Sequence, residues 1–566
     1  MSRTTLSDRG DRTTADDGGA GGGGTAPDDD TDGLRRALPP VGLLVAAGAG
    51  ALLSVGAFLG LHVRPTSDDW CALWKVRDLG VLGITGDFYR TQNGRVTNAF
   101  LTGLLYSDGM RGPKLLPAFL VLALGTGLFL LGRAVLRPSR PPAVLLVAAA
   151  ALLPALLFFA GTRTYQVLLW TPATISHTLP GVIGLWTVLG AVAAARSELR
   201  WARTAAAGSA LLVGVASGML SEPFSLVAGV LASAVGVLCL PRFGWARDRY
   251  TSTWCAAACL GLAIGLVILY TSPGARWRRS RHPGNPLSAT ELAETFGDWW
   301  RLWGTIAGQG AYLGAVGVGA LIGLALAVTA PRHAGTGPHR PETGPQRSGT
   351  SPHRPGTGPS RSGADPRRSE VAPRGPGTDT RRPGTDPRHP AWNRPPRRLF
   401  LVAVLLPLPL IALASLAVIV GLRSGYGDAG WTYGRAWTSF LLPLLLTLCA
   451  YGAWGGYVLG LRLLAPGRPA ARAAALVAAG AVAVGGAAAL VRPVYALTTV
   501  TVVRGVAWDR QDARIRTEVA AGAREVAYRP YLIGGLSEPL FAPSYERDWA
   551  AQCAARYYRV DRIHRP

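Results

Sequence analysis

Residues 41–61 read VGLLVAAGAGALLSVGAFLGL, without one ionisable side chain. At a rise of about 1.5 Å per residue, a helix of that length reaches across the roughly 30 Å hydrocarbon core of a bilayer. Directly after it comes HVRPTSDDW, residues 62–70, which sets Asp68 and Asp69 a few residues beyond the hydrophobic edge. Two adjacent carboxylates therefore stand at the depth of lipid head groups.

The same kind of run recurs along the chain. Of 566 residues 49% are hydrophobic, and they come in nearly uncharged blocks rather than spread as in a soluble core. Further spans are expected at 115–136, 143–160, 179–195, 204–220, 224–240, 253–271, 305–330, 399–421, 439–464 and 473–491. The fold class is an all-α polytopic membrane protein of about eleven transmembrane helices, closed by a small extracytoplasmic α+β tail. Short Arg-bearing loops hold Arg133, Arg137 and Arg140, then Arg196, Arg200 and Arg203, then Arg242, Arg247 and Arg249, then Arg462, Arg468 and Arg472. Placing these loops inside puts the protein in the plasma membrane, N-terminus cytoplasmic and C-terminus extracytoplasmic.

Five regions follow. Residues 1–39 are rich in Gly, Asp and Thr and read as a disordered cytoplasmic tail. No apolar segment of a cleavable signal peptide opens the chain, so 41–61 is expected to act as an uncleaved signal anchor. Residues 40–330 form a first transmembrane module, including a long outer loop at 62–114. The stretch 331–398 repeats GTGP and GTD, and its 14 Arg against 5 Asp and Glu give it a net charge of +9; it has too little apolar surface to offset its ordering entropy and is expected to be a disordered cytoplasmic linker. Residues 399–491 supply the last spans and 492–566 the tail. In that tail a helix is expected over 508–523, with Asp509 as its cap, and a short strand over 525–528.

The chain's charge of +25 does not point to nucleic acid. Its Arg residues flank spans or fill the linker and make no aromatic-studded basic domain, so the expected partner is the lipid bilayer. Six Cys residues without a CxxC or a Cys/His cluster argue against a zinc or haem site. Cys239, Cys255, Cys259 and Cys449 fall in or beside spans and read as small apolar residues. Cys71 and Cys553 both fall outside, where an oxidising milieu allows a disulfide between them or two free thiols.

The outer face carries the distinctive chemistry. An acid pair suits a general base, because repulsion and partial burial raise one of the two pKa values; the same acids also suit the start of a helix running from Trp70. Arg276 and Arg279 lie in SPGARWRRSR, an outer loop that opposes the positive-inside rule, and guanidinium forks fit phosphate oxygens. Arg95, in Asn93-Gly94-Arg95, is a further phosphate ligand or a partner of the acids. Glu222, between two short helices, suits acceptor binding or site ordering. His62 and His177 are candidate acids or bases, while Trp170, Tyr165, Trp299, Trp300 and Trp431 fit either sugar stacking or an interfacial aromatic belt.

Taken in order, SDDW (67–70), FYRTQNGR (88–95), SGMLSEPFS (217–225), SPGARWRR (272–279) and CAARYYRV (553–560) resemble the GT-C superfamily of polytopic glycosyltransferases, in particular its poorly characterised bacterial members. The resemblance covers most of the membrane region and the tail. It implies a GT-C-like fold and an external site that transfers a sugar from a polyprenyl-phosphate donor to an envelope glycan, with inversion. It assigns the base to Asp68 or Asp69 and phosphate binding to Arg276 or Arg279. The lipid-linked sugar is a co-substrate, so no cofactor is implied; such reactions often need no metal, and a divalent ion is compatible with the reading. Where related sequences carry Asn, this chain has Ala275. The rival classes are a transporter or lipid flippase, which places ionisable groups near the midplane, and a non-catalytic scaffold of envelope assembly.

Overall fold

A computed structural model describes residues 29–137, 141–243, 246–281, 288–329, 402, 404–463, 468–531, 533, 534 and 544–566. The linker at 331–398 and the tail up to residue 28 lie outside the described residues. The helices are α1 (Asp29–Leu59), α2 (Asp68–Thr91), α3 (Val96–Tyr106), α4 (Arg111–Val135), α5 (Ala143–Phe159), α6 (Thr164–Leu168), α7 (Thr171–Ala173), α8 (Leu179–Ala195), α9 (Arg200–Gly218) and α10 (Glu222–Leu238). They continue with α11 (Arg249–Thr271), α12 (Pro273–Arg281), α13 (Ala289–Ala307), α14 (Leu313–Thr329), α15 (Pro407–Tyr426), α16 (Gly434–Leu463), α17 (Pro469–Ala488), α18 (Val491–Ala520) and α19 (Trp549–Tyr558). The sheet is one parallel pair, β1 (Glu525–Ala527) on β2 (Arg562–His564), with Val526 opposite Ile563.

The protein is an all-α membrane protein in architecture. Among the described residues, eight helical stretches are long and apolar enough to cross a bilayer. Each of the eleven expected spans falls on a helix. The three outside that set are α5 and α10, apolar but 17 residues long, and α9, whose first turn carries Arg200 and Arg203.

Several boundaries differ from the sequence reading. Helix α1 begins inside the expected N-terminal tail, because Leu34 and Leu38 continue the buried stripe of Val45, Ala49 and Leu53, and Arg35 donates to the Val328 carbonyl at 3.3 Å. The span expected from residue 305 starts at Gly310, since residues up to Ala307 belong to α13. The outer loop 62–114 is mostly helical, built of α2, α3 and the start of α4. The tail helix is not capped at Asp509; α18 runs unbroken from Val491, and Asp509 lies inside it.

What joins the spans is close backbone approach. Lipid removes the hydrophobic drive between helices, so packing and small residues decide which helices meet. Four Gly-x-x-x-Gly pairs do this here. Gly214 and Gly218 of α9 face Gly261 and Gly265 of α11, where a Cβ on Gly218 would stand 2.8 Å from the Gly265 Cα. In the same way Gly319 and Gly323 of α14 meet Gly452 and Gly456 of α16, and a Cβ on Gly323 would stand 2.6 Å from the Tyr457 nitrogen.

The bundle has two chemically distinct ends. At one, Arg196 donates to the Ala134 carbonyl, Arg203 to Ala195 and Arg472 to Leu463, so basic side chains satisfy helix C-termini there. At the other, α2, α3, α18, α19 and the strand pair form a second apolar cluster around Trp70, Trp508, Tyr528, Tyr558 and Ile563.

The Gly contacts make a direct test possible. Gly323→Leu should lower the unfolding temperature in detergent by several degrees, overpacking costing about 1–3 kcal/mol. Gly421→Leu, on α15 with no atom within 4 Å of its added Cβ, should leave it unchanged.

Candidate active site

Between α1 and α2 the chain makes a tight exit from the bundle. Arg504, buried on α18, donates through Nη1 to the Arg64 carbonyl at 3.2 Å and through Nη2 to the Pro65 carbonyl at 2.8 Å. Arg64 in turn grips Asp509 through Nε and Nη2, at 2.6 and 2.7 Å. Ser67 then adopts φ +45°, ψ −117°, a conformation L residues rarely hold. Helix α2 starts at Asp68 with its two acids in the first turn, where the helix dipole favours them.

The two carboxylates sit in different environments. Asp68 is exposed. Asp69 is 1% exposed; its Oδ2 accepts from the Thr66 amide at 2.9 Å and its Oδ1 from the Tyr106 hydroxyl. Burial pushes Asp69 up to about 7, and the negative Asp68 adds to this, while Tyr106, the Thr66 amide and Arg504 pull the other way. Burial and Asp69 together hold the Tyr106 hydroxyl well above its ordinary pKa, so it remains a donor.

Tyr106 ends a polar stripe on α3. Arg95, Asn98, Thr102 and Tyr106 recur at helical spacing, and Asn98, Thr102 and Tyr106 are buried. The stripe faces α7 and the π-turn Thr174–Thr178 that joins it to α8. Asn98 donates to Ser176 Oγ at 2.8 Å, and Ser176 to the Pro172 carbonyl at 2.8 Å. π-turns recur at functional sites because they redirect side chains inside an otherwise regular helix.

At its other end α3 starts from Arg95, whose Nη2 lies 2.8 Å from Glu222 Oε2. Glu222 opens α10 behind Ser221, whose Oγ accepts from the Phe224 amide at 3.3 Å. The two motifs QNG and SPG interlock beside this pair. Gly94, at φ +73°, has no room for a side chain, since a Cβ would meet the Leu269 carbonyl at 2.6 Å; a Cβ on Gly274 would meet the Gln92 nitrogen at 2.7 Å.

Around Arg95 lies a basic and aromatic group. Arg435 sits 4.8 Å from the Tyr433 ring centroid and 5.3 Å from that of Trp170. Arg163 covers Tyr433 at 5.6 Å, and Tyr433 packs on Tyr426 at 4.6 Å. His177 is within electrostatic reach of both Arg435 and Arg95. Below this group an apolar cavity of about 510 Å³ runs between the helices, with Gly181, Phe224 and Ser439 near the site and Tyr250 and Thr251 toward the other end.

Asp69 and the Arg95–Glu222 pair thus lie at opposite ends of the polar stripe of α3, with Asp68 exposed beside Asp69. Arg276 and Arg279 lie on α12 beside the Arg95–Glu222 end: Tyr270, whose ring Arg279 covers at 5.9 Å, interacts electrostatically with both Arg95 and Glu222. Arg276 Nε donates to the Thr271 carbonyl at 2.9 Å and Arg279 Nη2 to that of Tyr270 at 2.8 Å, closing the C-terminus of α11, whose last carbonyls lack helical partners. Among the described residues no hydrogen bond joins them to the acid turn. Trp299 and Trp300 sit on α13, and His62 packs on Phe58. Cys71 and Cys553 are disulfide-bonded, with Cα atoms 4.8 Å apart. Tyr106, Asn98, Thr102, Arg163, Arg435, Tyr433 and Arg504 escaped the sequence reading. For α3 the signal was present in the 95, 98, 102, 106 spacing; for the others nothing local marked them.

Among the described residues no group of three or more His, Cys, Asp or Glu is placed to hold a metal ion. No family model, curated protein or solved structure matches the chain.

The buried acid has a thermodynamic consequence. Unfolded, Asp69 releases its proton near 3.8; folded, it keeps it to about 7. Between these values the folded state binds more protons, so this group's contribution to stability falls as pH rises from about 4 to about 7 and is level above that. Unfolding of the wild type in detergent should follow that slope relative to Asp69→Asn; parallel curves across the window would refute the assignment.

Proposed function

We propose that this protein is a membrane glycosyltransferase of the GT-C type, moving a sugar from a polyprenyl-phosphate donor to an extracytoplasmic envelope glycan. The observation that carries the reading is the polar stripe of α3, with a carboxylate at one end and a guanidinium at the other, beside an apolar cavity. Such a site suits an amphiphile with an anionic head. The Arg-rich end of the bundle then faces the cytoplasm, as the positive-inside rule requires, and about eleven helices cross the membrane.

The environments divide the work between the acids. Asp69 spends both oxygens inside the protein and acts as a positioning residue. Asp68 is open to an acceptor and serves as the base. It takes the acceptor hydroxyl proton, the acceptor oxygen bonds to the anomeric carbon, and the bond from that carbon to the phosphate oxygen breaks with its electron pair going to phosphate. Arg95 and Arg435 offset the charge that develops there. Glu222 orients Arg95, and the lipid chain lies in the cavity.

The spacing fits inversion. Arg95 and Tyr106 are separated along α3 by about 16 Å. An in-line arrangement of base, acceptor oxygen, sugar, phosphate and guanidinium spans on the order of 12 Å from hydrogen-bond and near-attack distances, and the long side chains make up the difference. A retaining double displacement would put carboxylates on the reacting carbon from a shorter range.

With a short-chain donor in detergent, Asp68→Asn should lower transfer by about 10²–10⁴-fold while the Cys71–Cys553 bond and protein yield persist. Arg435→Ala should raise the donor KM about tenfold or more, as expected for a lost charge-assisted bond. Full activity of Asp68→Asn would end this mechanism.

A further inference from the structure

Helix α13 has three chemically different sides. One is buried, carrying Thr295, Asp298, Leu302 and Ile306, and it is held at two points. Glu291, Glu294 and Asp298 converge on the buried Arg423 of α15, at 2.6 Å for Glu291 and Asp298, with Asp428 on the same guanidinium at 2.9 Å. Trp299 and Trp303 both donate to Ser415 Oγ, at 2.9 and 3.1 Å.

The second side is apolar yet open. Leu292, Phe296 and Trp300 follow one another at four-residue steps and are 50%, 47% and 58% exposed. The third side is polar and open, with Glu294 and Arg301 exposed at the side chain. Phe296 and Glu294 point about 160° apart at about 100° per residue. The buried side lies between these two flanks.

We propose that α13 lies in the plane of the membrane at the site end of the bundle, with Leu292, Phe296 and Trp300 sunk in the outer lipid leaflet and Arg301 in water. A span is ruled out by four ionisable residues in nineteen positions. Lateral docking on α15 leaves one flank for lipid and the opposite flank for solvent, the arrangement of an interfacial helix. Phe and Trp are the side chains that favour this boundary. Leu313, where the next span starts, is also exposed, at 60%, as is Leu413 of α15, next to the Ala412 carbonyl that Trp299 reaches. The acids, which would resist an anionic lipid surface, are gathered on Arg423 instead. The proposal rests on the membrane-spanning fold and is independent of the glycosyltransferase reading.

In nanodiscs of zwitterionic and anionic lipid, hydroxyl-radical footprinting of the wild-type protein should oxidise Trp300 several-fold more slowly than Trp549, which is 50% exposed on the outer tail. In a background with Cys239, Cys255, Cys259 and Cys449 replaced, nitroxide labels at Phe296→Cys and Trp300→Cys should collide with oxygen, and a label at Arg301→Cys with a water-soluble nickel chelate, so that the depth parameter changes sign between 300 and 301. Nickel access at 296 and 300, or protection from both quenchers as under a second copy or a partner protein, would overturn the proposal. Equal oxidation of Trp300 and Trp549 would overturn it without any substitution.

Discussion

The site end of this molecule depends on how the chain leaves the bundle after α1. A strand of backbone stepping out of lipid carries carbonyls with no helical partner, and each must be satisfied. Arg504 does this for Arg64 and Pro65 at once, and its fixed fork sets the direction in which residues 66–69 continue. With that direction set, Thr66 meets Asp69, Ser67 takes its strained conformation, and α2 begins with both acids in its first turn. Without the guanidinium those features would have no common cause.

The same turn separates two adjacent carboxylates that a sequence cannot tell apart. One residue of helical advance rotates Asp69 into the protein and leaves Asp68 at the surface. The low dielectric around Asp69 then favours its proton, whereas its neighbour is exposed. Two like acids given different surroundings are a recurrent way to divide positioning from proton transfer.

The spans were legible because apolar runs of that length have one stable environment, and the motifs SDDW, NGR and SEP mark the two ends of the α3 stripe. The contacts of Arg276 and Arg279 were not legible, because a guanidinium that follows a helix can reach back to its last carbonyls, as these two do to Thr271 and Tyr270. Of the helices at 62–114, the start of α2 at Trp70 was legible, whereas α3, apolar but only 11 residues long, is too short to register as a span. Arg504 was invisible in principle: its carbonyl partners lie about 440 positions away in sequence.

The C-terminal tail is continuous with this turn. Helix α18 carries Arg504 at the level of the exit and, from Trp508 on, Gln511 and Ile515 in the part that meets the tail. Trp70, one residue past Asp69, is fully buried against Trp508, Tyr528, Tyr557 and Tyr558, with ring centroids 5.1 to 6.0 Å away. The Cys71–Cys553 bond fixes the next residue to α19, and the β1–β2 pair ties the chain beyond α19 back to the end of α18. Residues 69, 70 and 71 are therefore held by three unlike interactions, a hydrogen-bonded carboxylate, an aromatic cluster and a covalent bond. The aromatic cluster and the covalent bond both come from the far end of the chain, and the proposed function needs such support, because a reacting group must be held to within a fraction of an ångström by residues that do not themselves react.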